Sequence, residues 1–537
     1  LQATSGETTV PHSHHHTRAH RAPHDHHPSS PASGLSRRDL LRRGGIAAGG
    51  LLLAGGASGF SPAPRGLLRG PDGVPGADRA PRLGLSQGTR LVHADLHNHS
   101  LLSDGDGDPA NAYGLMKDRG LDVAALTDHA SGDINPGDSS QCGEGTCGRV
   151  LSLTDAGWEY VSELADAAND PANGFIAIRG FEWTSVVQGH INVWFSSEFT
   201  DPTRTGGQFG PESAPTFLAD QSGGDPITAA GMSAFEGSPA PGMAGFYQWL
   251  QTEPQTPGWA GGLDGIAGFN HPGREPGRFG NFGHLAGVHD RIVSLEVMNR
   301  NDDYLFEGVS YGARSPLQQC LDAGWRVGLL GVTDEHGDDA WGRDPNATGK
   351  GRAGLWVRED LPYNRMAIKE AMTARRFFAT NKSGLRLDLS ATSLVTTETV
   401  RMGQTLAHQQ GMVMFELDLD GINGQRWAGS KPLQLQVLRP SSDLLPEIVH
   451  AEPFTVRAPG APPVRVAVDL DVADGDWVVV RVSDPAEALP GGDAAGAEGS
   501  PFAGVGRAVA YASPVYLDPD ADASAEAMRR ERIAGVR

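Results

Sequence analysis

Between Leu91 and His129 the chain reads LVHADLHNHSLLSDGDGDPANAYGLMKDRGLDVAALTDH, with imidazoles and carboxylates standing just past two apolar runs. His97 and His99 are two residues apart, so if Leu91–Leu96 is a strand, the alternation of its side chains sends both rings to one face. Two imidazoles on one face suit a single cation. Asp104 follows in a Ser-Asp-Gly turn and His129 closes the apolar run Val123–Leu126, so groups distant in sequence can converge where adjacent strands end. Taken singly, a His or Asp after a strand is more often a cap, a turn residue or a satisfied polar group. The distribution argues for more: eight of the 19 histidines crowd into residues 12–27, and six of the other eleven stand at strand edges near an Asp, a Glu or a second His.

Four further stretches extend the set. GFEWTSVVQGH places Glu182 at the end of an apolar strand, where an ionised carboxylate is costly unless it is paired, hydrogen-bonded or bound to a cation. His190 follows it and precedes its own apolar run, INVWF, against the strand-end pattern. GFNHPGR sets His271 directly after a strand, with Arg274 close by as a candidate for an anionic substrate group. GVTDEHGDDAWG sets Asp334 and His336 two apart, echoing His97 and His99. Mixed imidazole and carboxylate donors without thiolates suit zinc, manganese or iron rather than calcium or an iron–sulfur cluster. Two such ions ~3.5–4 Å apart lower the pKa of a bridging water and hold the attacking and leaving oxygens of an in-line displacement at phosphorus. The same hydroxide can attack a carboxyl or carbamate carbon. No Gly-rich phosphate loop, Ser-His-Asp order or dinucleotide fingerprint appears in its required context.

These residues need strands to carry them. From Leu91 to about Asn381 short apolar runs alternate with helical or irregular segments, as in a β/α architecture. The expected strands are Leu91–Leu96, Val123–Leu126, Phe175–Phe181, Ile191–Phe195, Ile266–Phe269, Ile292–Val297, Val327–Val332 and Gly354–Val357. Helices are expected over Ala110–Arg119, Thr154–Ala168, Ser315–Ala323 and Arg365–Arg375. Residues 200–264, rich in Gly, Pro and Ser with one short helix near Phe246–Leu250, interrupt the rhythm as a long insertion. After Asn381 the pattern becomes strict alternation (LRLDLSAT, MVMFELDLDG, LQLQVLR, VRVAVDLDV, WVVVRVSD), which predicts a small β-sandwich with a Gly/Ala loop over 488–501.

The order H-x-H, S-D-G, T-D-H, a strand-end Glu, G-H, N-H-P and D-x-H resembles the PHP (polymerase and histidinol phosphatase) domain, over roughly residues 91–381. The export leader and terminal β domain make the chain most similar to the CehA/McbA branch of secreted metallohydrolases. The resemblance implies a distorted (β/α)7 barrel with two or three divalent ions at the carboxyl ends of its strands. Carried over by position, it implies that His97, His99, Glu182 and Asp334 hold one ion, that Glu182 bridges to a second held by His190 and His271, and that Asp104, His129 and His336 hold a third. Glu182, Asp334 and Arg274 are the implied catalytic groups, and Asp128, Asp106 and Asp108 are left as supporting or solvent-facing residues.

The 537 residues carry a formal charge of −21, which disfavours nucleic acid or an anionic membrane surface as partner and, with export, disfavours a nuclease. A small-molecule ester is the expected substrate. Only three cysteines are present; Cys142 and Cys147 lie close enough in sequence to bridge in an oxidising compartment, leaving Cys320 as a buried hydrophobe. Residues 1–35 are too polar to fold and read as a His-rich leader. Over 36–62, Arg37 and Arg38 precede a short Gly/Ala-rich apolar segment, a pattern resembling a twin-arginine export signal that is cleaved rather than a span, placing the mature protein in the periplasm or outside the cell. A linker over 63–88, the metallohydrolase unit over 89–383, the β domain over 384–518 and a tail over 519–537 complete the expected organisation. The β domain contains only His408 and His450, so metal binding is expected not to need it. The competing readings are a carboxylester or carbamate hydrolase and, in another class, a cell-surface binding protein with structural metal alone.

Overall fold

The computed structural model describes residues 87–131, 152–185, 188–202, 204–205, 243–256, 260–272, 278–300, 302–309, 312–344, 350–421, 432–456, 462–489, 502–521 and 531–535. The leader and signal, Cys142 and Cys147, Arg274 and most of the insertion lie outside them.

Eleven strands make the first part of the chain: β1 (Thr89–Asp95), β2 (Val123–Leu126), β3 (His129–Ala130), β4 (Ile176–Ser185), β5 (Gly189–Trp194), β6 (Ile266–Phe269), β7 (Ile292–Asn299), β8 (Asp302–Asp303), β9 (Gly328–Gly331), β10 (Arg352–Arg358) and β11 (Phe377–Thr380). The pairs β1–β2, β2–β4, β6–β7 and β7–β9 are parallel. β4–β5 and β5–β6 are antiparallel. Three residues separate β4 from β5, too few for a parallel crossover, so the chain must turn back on itself there. The expected seven-stranded barrel is not closed. Among the described residues an isolated parallel bridge, Asn98 to Glu335, is all that joins the ends of β1 and β9, while the free edge of β1 is taken along its length by antiparallel β10.

Local chemistry explains the helices. Asp108 caps Pro109–Asp118 by accepting from Ala110 N, with proline in the first turn where its missing N–H costs nothing. Thr154 caps Asp155–Ala168 through Gly157 N, and that helix buries Trp158, Val161 and Ala165 at three- and four-residue spacing. Asn364 caps Arg365–Thr373. Met243–Leu250 buries Phe246, Tyr247, Trp249 and Leu250, which ties the end of the insertion into the main core. Among the described residues no helix is long and apolar enough to cross a membrane.

The later strands are β12 (Leu385–Ser393), β13 (Thr399–Arg401), β14 (Thr405–Leu406), β15 (Gln410–Gly421), β16 (Pro432–Arg439), β17 (Glu447–Thr455), β18 (Val464–Asp471), β19 (Trp477–Asp484), β20 (Arg507–Ala512) and β21 (Val515–Leu517). One sheet of four has the order β13-β12-β15-β18. Its inward residues, among them Leu387, Leu389, Phe415 and Leu417, share a core with Leu435 and Val437 of β16 and Val480 and Val482 of β19. This is the sandwich-like packing that period-two alternation predicts. The second layer does not stop at the expected boundary near residue 384. β20 pairs with β11 (Phe378 with Ala512, Thr380 with Ala510), β11 pairs with β10, and Leu91, Trp356 and Phe378 join the same core. Across this junction Tyr511 Oη donates to the buried Asp303 carboxylate at 2.8 Å, with Arg481 also buried beside it. Cys320 is a buried free thiol.

Candidate metal centre

The parallel ladder β1–β2–β4 brings three polar termini to one end. His97 and His99 follow β1, His129 opens β3, and β3 pairs in parallel with β4 so that His129 stands opposite Glu182. Glu182 is not at a strand end: β4 runs on to Ser185. The hairpin to β5 resolves the position of His190. Antiparallel pairing sets it opposite Thr184, so the start of β5 lies at the carboxyl end of β4. β6 then returns antiparallel to β5 and delivers Asn270 and His271 to the same end. Beyond β9, Asp334 N donates to His97 O at 3.0 Å and His99 N to Glu335 O at 2.8 Å, so the two x-spaced pairs are laced together by their backbones. Asp104 is carried by a loop that the buried Asp128 carboxylate holds, accepting from Ser100 N and Ser103 Oγ at 2.7 Å each. Gly105 in that loop leaves no room for a side chain: a Cβ there would lie 2.8 Å from the Ser100 backbone.

The eight other candidate ligands singled out in the sequence gather around Glu182, whose side chain is 0 % exposed; Arg274, the tenth residue singled out, lies outside the described residues. Glu182 Oε1 lies 3.2 Å from His97 Nε2, 3.3 Å from His190 Nδ1 and 3.2 Å from His271 Nε2, and its Oε2 is in contact with His129 Nδ1. His97 Nε2 and His99 Nε2 are 3.0 Å apart. Asp334 Oδ1 lies 3.2 Å from His99 Nε2 and 3.5 Å from His97 Nε2. Asp104 Oδ1 lies 3.3 Å from His336 Nε2 and 3.5 Å from His129 Nε2.

The electrostatics follow from burial opposed by neighbours of opposite charge. Burial alone raises the Glu182 pKa, but His190, His129 and His97 hold it well below the usual carboxylate range. Burial likewise opposes the ionised form of Asp334, and His97 and His99 override it. Burial lowers His97 and His129, yet Asp334, Glu296 and Glu182 carry the first well above its ordinary value, and Glu182 with Asp104 carries the second to about 10. His99, desolvated and facing His129, falls to about 3, and His190, desolvated, to about 4. Asp104 is depressed by His129 and His336 against the effect of its own burial.

Donor atoms close enough to share an ion fall into four groups: His99, Asp104, His129 and His336; His97, His99 and Glu182; His97, His271 and Asp334; His129, Glu182 and His190. The grouping differs from the one implied by the resemblance. His271 joins His97 and Asp334 rather than His190, although both rings approach Glu182 Oε1 and their centroids lie 4.8 Å apart. The residues fit divalent ions on two counts: the donors are imidazole nitrogens and carboxylate oxygens only, and among the described residues the buried Nδ1 of His99 has no hydrogen-bond partner. The cluster is buried at His97, His99 and Glu182 and partly exposed at Asp104 and His336, 33 % and 30 %, and less so at His190 and His271.

Four neighbours went unnoticed in the sequence. Asn270 Nδ2 donates to Glu182 Oε1 at 2.7 Å, and Thr184 Oγ1 lies 2.7 Å from His129 Nδ1. Glu296 approaches His97 Nδ1 at 2.7 Å, and Arg300 Nη2 reaches Asp334 Oδ2 at 2.8 Å. Glu296 carried the same signal as Glu182, a carboxylate inside the apolar run IVSLEVMN.

No family model matches the chain, and no curated protein does. Among solved structures it is similar to a two-domain protein from Bacteroides vulgatus containing a predicted PHP-like metal-dependent phosphoesterase, at 16% identity and TM-score 0.35, over 81% of this chain and 98% of that one. It is also similar to a candidate metal-dependent phosphoesterase from Bifidobacterium adolescentis, at 16% identity and TM-score 0.24, over 52% of this chain and 95% of that one. A third is an amidohydrolase from Chromobacterium violaceum with bound sulfate and no metal, at 16% identity and TM-score 0.21, over 45% and 87%.

Proposed function

We propose that this chain is an exported metal-dependent hydrolase of the PHP type acting on phosphoesters. The observation that carries the reading is the gathering of six imidazoles and two further carboxylates around the buried Glu182, with partly exposed donors at the margin. Structural metal sites tend to be closed, whereas sites with an accessible position are catalytic. His97, His99, His129, Glu182 and Asp334 would hold ions as buried donors, with His190, His271, Asp104 and His336 as the partly exposed ones. Bound there, zinc, manganese or iron would supply a water of lowered pKa and positive charge for the oxygens at phosphorus.

The chain's own contribution at the mouth is Arg300. Arg274 was the guanidinium expected from the sequence, and it lies outside the described residues. Arg300 follows β7 with φ of 53°, is half-exposed, and rests one Nη on Asp334, leaving other N–H donors toward solvent. A fork of that kind suits a phosphoryl or carboxylate oxygen pair.

The test is a screen of purified protein, stripped and reloaded with Zn, Mn or Fe, against aryl phosphates, phosphodiesters and carboxylesters. Phosphoester turnover that needs the metal is expected. In the same assay Arg300→Ala should raise KM about tenfold or more with a smaller change in kcat, from the ~1.5–3 kcal/mol typical of a hydrogen bond to a charged group. Turnover of carboxylesters alone would move the assignment to the carboxylester or carbamate reading. Metal content without turnover of any ester would favour a binding protein.

Export rests on Arg37 and Arg38. Replacing both with Lys should leave the protein in the cytoplasm in a fractionation assay; undiminished export would remove that part of the proposal.

A further inference from the structure

β7 is buried at all eight positions, yet it carries Glu296 in its interior, with 1 % of the residue exposed. The carboxylate has a full set of partners. Oε1 lies 2.7 Å from His97 Nδ1, while Oε2 accepts from His271 N at 2.7 Å and from Asn299 Nδ2 at 2.9 Å. The strand order explains why it can reach both histidines. β7 lies between β6 and β9, with Leu295 paired to Phe269 and Glu296 to Leu330, so Glu296 stands beside the segment that leaves β6 through Asn270 and His271.

We infer that Glu296 is the positioning residue for His97 and His271, and through them for the two ion positions that share His97. With Glu296 Oε1 as the acceptor facing Nδ1, the neutral His97 ring that would ligate an ion keeps its proton on Nδ1 and turns the Nε2 lone pair inward. That Nε2 is the atom found 3.2 Å from Glu182 Oε1 and 3.0 Å from His99 Nε2. A carboxylate behind a ligating imidazole fixes its tautomer and orientation and raises its basicity. The second bond acts on backbone. His271 has φ of 21°, a conformation L residues rarely adopt, and the bond from its N–H to Glu296 holds it there. His97 and His271 belong to one donor group with Asp334, and His97 to another with His99 and Glu182. One carboxylate therefore sets the aim of ligands in both.

The inference rests on the metal-centre reading, and its test separates the two. Wild type, Glu296→Gln and Glu296→Asp are loaded with cobalt(II), and their visible spectra, ion stoichiometry and affinity by chelator competition are compared, with circular dichroism as the check on folding. Gln keeps the shape but turns an NH2 toward one of three donors. Asp keeps the charge but loses one methylene of reach. Both should weaken metal affinity about 10- to 100-fold and alter the cobalt spectrum. An Asp variant with wild-type spectrum and affinity would overturn the positioning role, because charge alone would then suffice. A Gln variant with wild-type affinity would overturn it as well, and should Gln fail to fold, the Asp variant decides. A wild-type protein that takes up no divalent ion would instead sink the metal reading beneath both, whatever the variants do.

Discussion

Replacing Glu182 with Gln should remove more than one ion per chain and most of the activity, while the far-ultraviolet circular dichroism stays close to wild type. Among the described residues Glu182 is the one in contact range of His97, His129, His190 and His271 together, and it belongs to two of the four donor groups. The substitution takes a negative charge from among cations and leaves a neutral amide whose NH2 would face imidazole nitrogens and Asn270 Nδ2. In a fully buried site there is no water to make good the loss, so each position that depends on this carboxylate weakens. His336→Ala is the comparison. His336 belongs to a single group at the open side, and its loss should empty at most one position. Metal content by mass spectrometry and turnover on the best substrate of the screen read both variants. A Glu182→Gln protein with full metal content and full activity would reduce Glu182 to a hydrogen-bonded core carboxylate.

Ending the chain after residue 383 should give an insoluble or unfolded product rather than a working metal-binding unit. The opposite expectation came from chemistry alone, since only His408 and His450 lie beyond that point. His408 is buried between Ser393 Oγ and Leu470 O, and among the described residues every donor group falls between 97 and 336. The later strands contribute no ligand, but they complete the sheet. Without β20 the backbone groups of Phe378, Ala379 and Thr380 lose their partners, and β11 becomes an exposed edge of the kind that aggregates. Leu91, Trp356 and Phe378 lose their apolar cover. Asp303, buried beside Arg481 and Tyr511, is left without both. Breaking such a pair from one side costs ~3–5 kcal/mol, a large share of the ~5–15 kcal/mol that holds a domain together. Soluble yield and a thermal melt followed by circular dichroism test this. A soluble truncated chain with a cooperative melt and full metal content would show that the first eleven strands stand alone.

Much of this molecule is written in short stretches of its sequence. Val123–Leu126 and Ile266–Phe269 are strands with the bounds their apolar runs suggest, and the helices begin where Asp108, Thr154 and Asn364 can cap them. Six of the nine candidate ligands, His97, His99, His129, His271, Asp334 and His336, stand out because each follows an apolar run, whereas Glu182 lies inside one, His190 precedes one and Asp104 sits in a turn. Side-chain alternation and capping involve residues a few positions apart, so the chain states them locally. What pairs with a strand's free edge is decided instead by which distant segments bury the most surface together, and no local pattern records it. Only the tertiary structure therefore places β10 rather than β9 along β1, runs the C-terminal layer on through β11, sends His190 to the carboxyl end of β4 by a hairpin, and sets Glu296 behind His97 from 199 residues away.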